Sequence, residues 1–382
     1  YNYNLAVSAG GLDLTIRSVI NDLNLKEELK YYINPHNSLS FGLNSVYHTI
    51  TPGQIEGNIP VPDIPKTHSW ENAVYITDGW KATSKLNIDA GIRLSAFSVM
   101  GGDNKFYHLD QNNNIADTFT YASGQIVKTF VNPEPRFSAS YQLGASSSVK
   151  AAYARNAQYL HLLSNSTTGN PTDKWVATNN IIKPELADQV SIGYIRNFKD
   201  NAFECSVETY YKWMQNSVDY KDNAQILSND AVEPQLLFGH GRAYGIEMLV
   251  KKNEGKFTGW VSYTLSRTEL QINGVNKNRW YPARQDRTHD ISVVGMYKLS
   301  KKWTLSADFV YSTGNAATFP SGKYEADNQV VFYYTERNAY RMPAYHRFDL
   351  GATCKLKERK HFSSEIAFSL YNAYGHANPY SI

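Results

Sequence analysis

Two clusters carry the residue types from which a ligand site can be built. The first is Asn165, Asn170, Asp173, Lys174 and Trp175, inside the stretch NSTTGNPTDKW. The second is Asn278, Arg279, Trp280, Tyr281, Arg284 and Arg287. Trp and Tyr rings stack on flat ligand faces, while Asn, Asp and Arg orient polar groups. The same side chains also brace loops against one another, and the spacing fits either use.

Reactive constellations are weaker. His289 beside Asp290 in RQDRTHD has the makings of an acid–base pair or a metal ligand, but its spacing matches no zinc or hydrolase motif. It is expected to be the charged start of a strand. Glu204 and Glu208 fall on one side of an extended segment, and Lys212 on the same side turns the pair into a charge ladder. GHGRAYG (239–245) has the glycines of a phosphate loop but no helix after it, so it is expected to be a loop bending back into a strand. Cys205 and Cys354 fall on the apolar sides of their segments and read as small hydrophobic residues. No catalytic set, metal site or cofactor site is expected.

The elements that must carry these residues are strands. Across 203–213, Phe203, Cys205, Val207, Thr209, Tyr211 and Trp213 alternate with Glu204, Ser206, Glu208, Tyr210 and Lys212. The pattern recurs at 86–95, 303–312, 347–356 and 365–370, and about 14 such strands can be counted, many longer than the five or six residues usual in soluble sheets. Short polar turns lie near 34–37, 83–84, 144–148, 252–256, 300–302 and 357–360, with a Lys-Asp-Asn turn before Phe203. Longer connections are expected near 52–66, 99–132, 158–183, 219–240, 272–285 and 315–342, in strict alternation with the short ones. Short turns at one rim and long loops at the other describe an up-and-down barrel.

A soluble sandwich also alternates, but it needs interlocking large residues on its apolar faces. Here those faces hold many small residues, with aromatics near strand ends at Tyr31, Tyr75, Tyr211, Trp213, Tyr297 and Tyr311. The chain has 28 Tyr and 7 Trp, enough to furnish aromatic girdles around a lipid belt. The fold class expected is all-β, an antiparallel transmembrane β-barrel in which Phe203, Val207 and Tyr211 face outer-membrane lipids. Glu204, Glu208 and Lys212 form a lumen-facing wall. A net charge of +3 with no basic stripe gives no reason to expect nucleic acid as a partner. No run approaches the roughly 20 apolar residues of a spanning helix. The chain shows no signal peptide and starts at Tyr1, so its N-terminus is expected to be mature, trimmed or cut inside a larger protein.

Several stretches carry a family resemblance: 159–198, FGHGRAYGIEMLVKKNEGKFTGWVSYTLSRTE (238–269), 281–324 and AYHRFDLGATCKL (344–356). With KPE opening a strand and GRAYGIE, they resemble the barrel of TonB-dependent outer-membrane transporters. The similarity is greatest to the branch with a carboxypeptidase-like N-terminal domain, related to SusC-type importers. FSLYNAYGHANPYSI (368–382) resembles the penultimate strand of that family.

The resemblance implies a 22-stranded barrel closed by its own plug domain, driven by a TonB-type energy-transducing protein, and in some members lidded by a surface lipoprotein. On that basis residues 1–382 are a C-terminal portion of the barrel, with the plug and the last strand outside the chain. The function implied is import of a scarce nutrient; glycan, peptide, siderophore and cobalamin-like ligands all remain open. A passive porin-like channel and a barrel component of a larger assembly are the alternatives.

Overall fold

A computed structural model of the chain describes residues 2–9, 12–57, 64–164, 173–222, 224, 231–326, 329–359 and 362–379. One antiparallel sheet dominates, and its strands follow one another along the sheet in chain order. They are Asn2–Ala9, Leu12–Asn34, Asn37–Gly57, Thr67–Lys81, Leu86–Met100, Ile126–Gly144, Ser147–Gln158, Glu185–Phe198, Phe203–Tyr220, Leu236–Lys252, Phe257–Ile272, His289–Lys298, Trp303–Ser312, Tyr345–Arg359 and Phe362–Leu370. Each pairs with its sequence neighbour, as hairpin-connected strands do. Among the described residues the only helical pieces are two three-residue 3₁₀ turns, and no helix is long and apolar enough to cross a membrane.

Direct cross-strand partners lie on the same face of a sheet, so the register sorts the residues into rows. One row runs Val190, Tyr211, Tyr244, and the next Ile192, Thr209, Ile246, Leu265. Val207 and Trp213, on this side, are 46% and 48% exposed, and Ile76, Leu94, Val250 and Leu305 are exposed with them. Such a continuous apolar surface is stable where its surroundings are hydrocarbon. From Phe203 to Trp213 is ten residue steps, which at ~3.3 Å per residue and a tilt of ~40° is about 25 Å of height, the thickness of a lipid-facing band.

The opposite face is charged: Glu204 pairs with Lys251, Glu208 with Glu247 and Lys212 with Ala243. Toward the long-loop rim this face carries a connected network. His48 Nδ1 lies 2.7 Å from Asp22, Glu71 accepts from Arg93 at 3.1 Å, and Arg93 lies 3.6 Å from Glu134. Glu134 accepts from Ser95 Oγ at 2.6 Å, whose hydroxyl lies 2.7 Å from Tyr159 OH. The packed core lies where the long-loop ends of the wall strands meet the loops, in clusters around Phe97–Tyr159, Ile182–Leu236 and Ile272–Tyr281.

The structure departs from the sequence expectations at several points. Strands reach further into the long connections than their polarity suggests: 52–57, 126–132 and 236–240 all lie within strands, the first two with a bulge in their pairing. Pro133 and Pro135 lie inside Ile126–Gly144, where prolines argue against a strand. Pairing with the following strand stops at Arg136, next to Pro135, so the missing donors fall where one ladder has ended. Near 357–360 the strand continues to Arg359 instead of turning, with Arg359 opposite Phe362.

Tyr75 belongs to the charged face, not the apolar one. Its hydroxyl donates to Glu28 at 2.7 Å, and its ring covers Gly42, where a Cβ would collide with it. GHGRAYG lies within a continuous strand rather than in a bend. The irregularity is in the partner, where Asn216 takes a φ of 59° and the register shifts between Gln215 and Ser217. The closing stretch is strand only to Leu370; Asn372 and Gly375, with φ of 50° and 67°, end it.

Candidate functional site

Three segments of the long-loop rim converge on one cavity of about 680 Å³, lined by Asp219, Tyr220, Asp222, Asn276, Lys277, Arg284, Tyr324, Phe332, Tyr334 and Arg337 among others. That size falls within the range of small-molecule sites. Asp219 and Tyr220 end the Phe203–Tyr220 strand. Asn276 and Lys277 form the tip after Phe257–Ile272, and Tyr324 and Phe332 come from the hairpin Gly322–Ala326 with Gln329–Tyr333.

Arg337 ties the segments together. Its Nη1 lies 3.0 Å from Asp219 Oδ2 and donates to the Tyr220 carbonyl at 2.5 Å; its Nη2 lies 2.6 Å from Asp222 Oδ1. The Asn276 amide grips the Arg337 backbone from both ends, accepting from its N–H at 2.8 Å and donating to its carbonyl at 3.1 Å. Asn276, Lys277 and Asn278 are three successive left-handed residues, with φ of 47°, 56° and 61°, a conformation that costs energy outside glycine and is held here by these bonds.

Burial opposes the Arg337 charge, yet the Asp219 and Asp222 carboxylates hold its pKa above the ordinary value. Arg284 is pushed the other way: burial lowers it, and Asp219 and Asp173 offset only part of that. Tyr281 donates its hydroxyl to Asp219 at 2.8 Å, and burial together with that carboxylate pushes its pKa up. The pocket therefore combines fixed charges of both signs with aromatic side chains from the hairpin. Such a lining can orient a polar ligand and cover a flat face of it.

The residues singled out in the sequence divide among several places. Arg284 lines the cavity, Tyr281 supports it through Asp219, and Asp173 acts on Arg284 electrostatically. Arg279 sits at the exposed rim in an ion pair with Glu336 at 2.9 Å. Asn278 stabilises the tip, its carbonyl accepting from Gln271 at 2.8 Å and its side chain from the Gly274 N–H at 2.7 Å. Lys174 and Trp175 belong to the small sheet Leu160–Leu163 with Lys174–Ala177 and line a separate cavity of about 90 Å³.

Trp280 faces away, with the Arg242 guanidinium 4.2 Å from its ring centroid. Arg287 donates to Asn315 at 3.1 Å, outside the cavity. Asn165 and Asn170 lie outside the described residues. His289 is taken up by Tyr263, its Nδ1 2.9 Å from the phenol oxygen. Sequence reasoning missed Asp219, Asp222, Asn276 and Arg337. The signals that could have found them are the aromatic run ending in charge, FYYTERN (332–338), and SVDYKD (217–222) at a strand end.

An antiparallel wall with an apolar belt on one face, charge on the other and a pocket among its long loops is the architecture of an integral outer-membrane β-barrel. The family description "TonB dependent receptor-like, beta-barrel" matches residues 1–373, and the chain belongs to that family. No curated protein matches it.

Among solved structures it is similar to "Copper transporter OprC", with 11% identity, a TM-score of 0.67, and coverage of 97% of this chain and 55% of the other. It is also similar to the FrpB iron transporter of Neisseria meningitidis (F5-1 variant), with 12% identity, TM-score 0.62, and 96% and 53% covered. A third is the ferripyoverdine receptor of Pseudomonas aeruginosa, with 12% identity, TM-score 0.61, and 96% and 46% covered. At these identities the likeness is one of fold, and the chain spans about half the length of these proteins.

Proposed function

We propose that the chain is the larger part of the barrel of an energised outer-membrane importer, a transporter rather than an enzyme, with the loop pocket as its outer ligand-capture site. The observation that carries this is the Asp219–Arg337–Asp222 bridge, which together with Asn276 on the Arg337 backbone holds three loop segments around the cavity. Family membership supports the class, and the solved neighbours are described as transporters or receptors for iron, copper and a ferric siderophore.

On this proposal Glu204, Glu208 and Lys212 line the lumen. Outside the chain, a plug domain, the earlier barrel strands and a final strand complete a 22-stranded barrel, and a TonB-type protein supplies the energy. The cargo is a scarce nutrient with polar groups to orient and a face for aromatic contact, a description that glycans, peptides, siderophores and cobalamin-like ligands all meet.

The test is growth and uptake across those nutrient classes in a strain lacking the full-length gene. Failure on one class, restored by the wild-type gene, is the expected result. Normal uptake of every class, together with steady ion conductance of the purified full-length barrel in a planar bilayer, would favour a passive channel and overturn the proposal.

A further inference from the structure

On the lipid side of the wall the apolar rows end in charge just below the long loops. Arg242 and Arg267 flank Glu269: Arg242 Nε lies 2.8 Å from its Oε2 and Nη2 2.7 Å, and Arg267 Nε lies 3.1 Å from its Oε1. Two guanidinium groups share one carboxylate, so the trio carries a net charge of +1 (two positive, one negative). Arg267 also approaches the fully buried Asp286 at 3.8 Å, but that carboxylate is engaged by Arg341. The Arg242 and Arg267 side chains are 31% and 35% exposed. Each guanidinium has five N–H donors, so both keep donors beyond those bonds. The Trp280 and Tyr244 rings, at 4.2 Å and 5.8 Å from Arg242, hold that arginine in place.

Directly beneath is a groove of about 690 Å³ whose lining includes Ile192, Thr209, Tyr211, Ile246 and Leu265, with Arg267 at its upper end. The wall dips there because Thr209, opposite Ile192 and Ile246, is the small side chain in a row of branched and aromatic ones. The lining residues Val190, Ile192, Thr209, Tyr211, Tyr244, Ile246, Leu265 and Arg267 lie in the lipid-side rows, and Ser191, Tyr210, Gly245 and Ser266 are their chain neighbours from the other face, so the groove is placed on the bilayer side of the wall.

We propose that this corner binds one outer-leaflet lipid carrying a phosphate on its headgroup, with an acyl chain in the groove and the phosphate on Arg242 and Arg267. The observations fit this occupant in charge, depth and shape together. Arginine is suited to bidentate phosphate contact; the pair lies at the aromatic girdle, where headgroups sit; and the slot below is apolar and open toward the hydrocarbon. The proposal does not depend on what the protein imports.

The test uses the full-length receptor in a mild detergent. Native mass spectrometry would follow addition of bis-phosphorylated lipid A or of phosphatidylcholine with matched chains. Wild type is expected to retain one lipid A and to retain phosphatidylcholine at least tenfold less. Arg242→Gln/Arg267→Gln/Glu269→Gln removes the trio without leaving an unpaired carboxylate and is expected to lower lipid A retention at least tenfold.

Thr209→Phe fills the groove while keeping the charges, and should lower retention similarly; it also decides the matter if the triple variant does not fold. Wild-type retention by folded triple variant, equal retention of phosphatidylcholine, or wild-type retention by Thr209→Phe would each overturn the proposal.

Discussion

Replacing Arg337 by Ala should open the pocket without unfolding the wall. The side chains of Arg337 and Asp219 are 15% and 12% exposed, so their ion pair is largely withdrawn from water. Removing one partner of such a pair leaves the other charge buried and costs about 3–5 kcal/mol. The contact to Asp222, which is 73% exposed, adds ~0.5 kcal/mol at most. Taking ~3 kcal/mol, local opening becomes more than 100-fold easier, at about 1.4 kcal/mol per factor of ten.

Hydrogen exchange of the full-length protein in detergent should show this loss at amides 335–341, which Asn276 and Arg337 tie down, and almost none in the Phe203–Tyr220 strand. Arg337→Lys should fall between, because an ammonium cannot fork across Asp219 and Asp222. In a cycle with Asp219→Asn, the double variant should lose less than the sum of the single losses by at least ~1.5 kcal/mol. Protection of 335–341 within twofold of wild type in Arg337→Ala would show that this residue does not organise the loops.

Three further outcomes follow from the wall and the loop sheet. His161 is buried beside Thr178, and burial lowers its pKa to about 4. The unfolded chain takes up a proton near 6.5 and the folded one does not until about 4, so up to ~3 kcal/mol of local stability is present above pH 6.5 and lost as pH falls toward 4. His161→Gln should flatten that slope in exchange of amides 160–163 and 174–177. Val207→Arg, mid-height on the apolar face, should cost ~2–4 kcal/mol in urea titrations of the full-length protein in lipid vesicles, whereas Glu204→Gln should cost under ~1 kcal/mol. Cys205 and Cys354 are both free; in intact cells they should resist a charged maleimide and react with a lipid-soluble one, and the reverse order would invert the assignment of faces.

Much of the wall was legible because its information is local. A period of two survives in every strand that has lipid on one side and water on the other, and the short turns announce themselves through Asn, Asp, Gly and Ser. The start of Ile126–Gly144 was not legible: residues 126–132 read as part of a long polar connection, and only their place beside Leu86–Met100 makes them strand. Tyr75 was placed on the wrong face because an aromatic near a strand end suggests a girdle, whereas its position in the register sets it over Gly42.

The pocket was less legible for a different reason. Arg337 meets Asp219 and Tyr220 across more than a hundred residues of chain, and neither side has a spacing that points to the other. Arg284, at the cavity, and Tyr281, bonded to Asp219, stand in a dense polar–aromatic run that is visible in the sequence. Trp280, in the same run, turned out to belong to the lipid-side cluster with Arg242.

Energised import through the loop pocket is tested most directly by uptake of a radiolabelled nutrient in cells lacking the chromosomal gene and expressing the full-length wild type or Arg337→Ala. The nutrient would be the one whose uptake the deletion abolishes. Wild-type cells should accumulate it against a gradient and stop when a protonophore collapses the inner-membrane potential, and Arg337→Ala should lower uptake at least tenfold at limiting concentration with equal protein in the outer membrane. Uptake that continues at the same rate with the protonophore, or that is unchanged by Arg337→Ala, would contradict it.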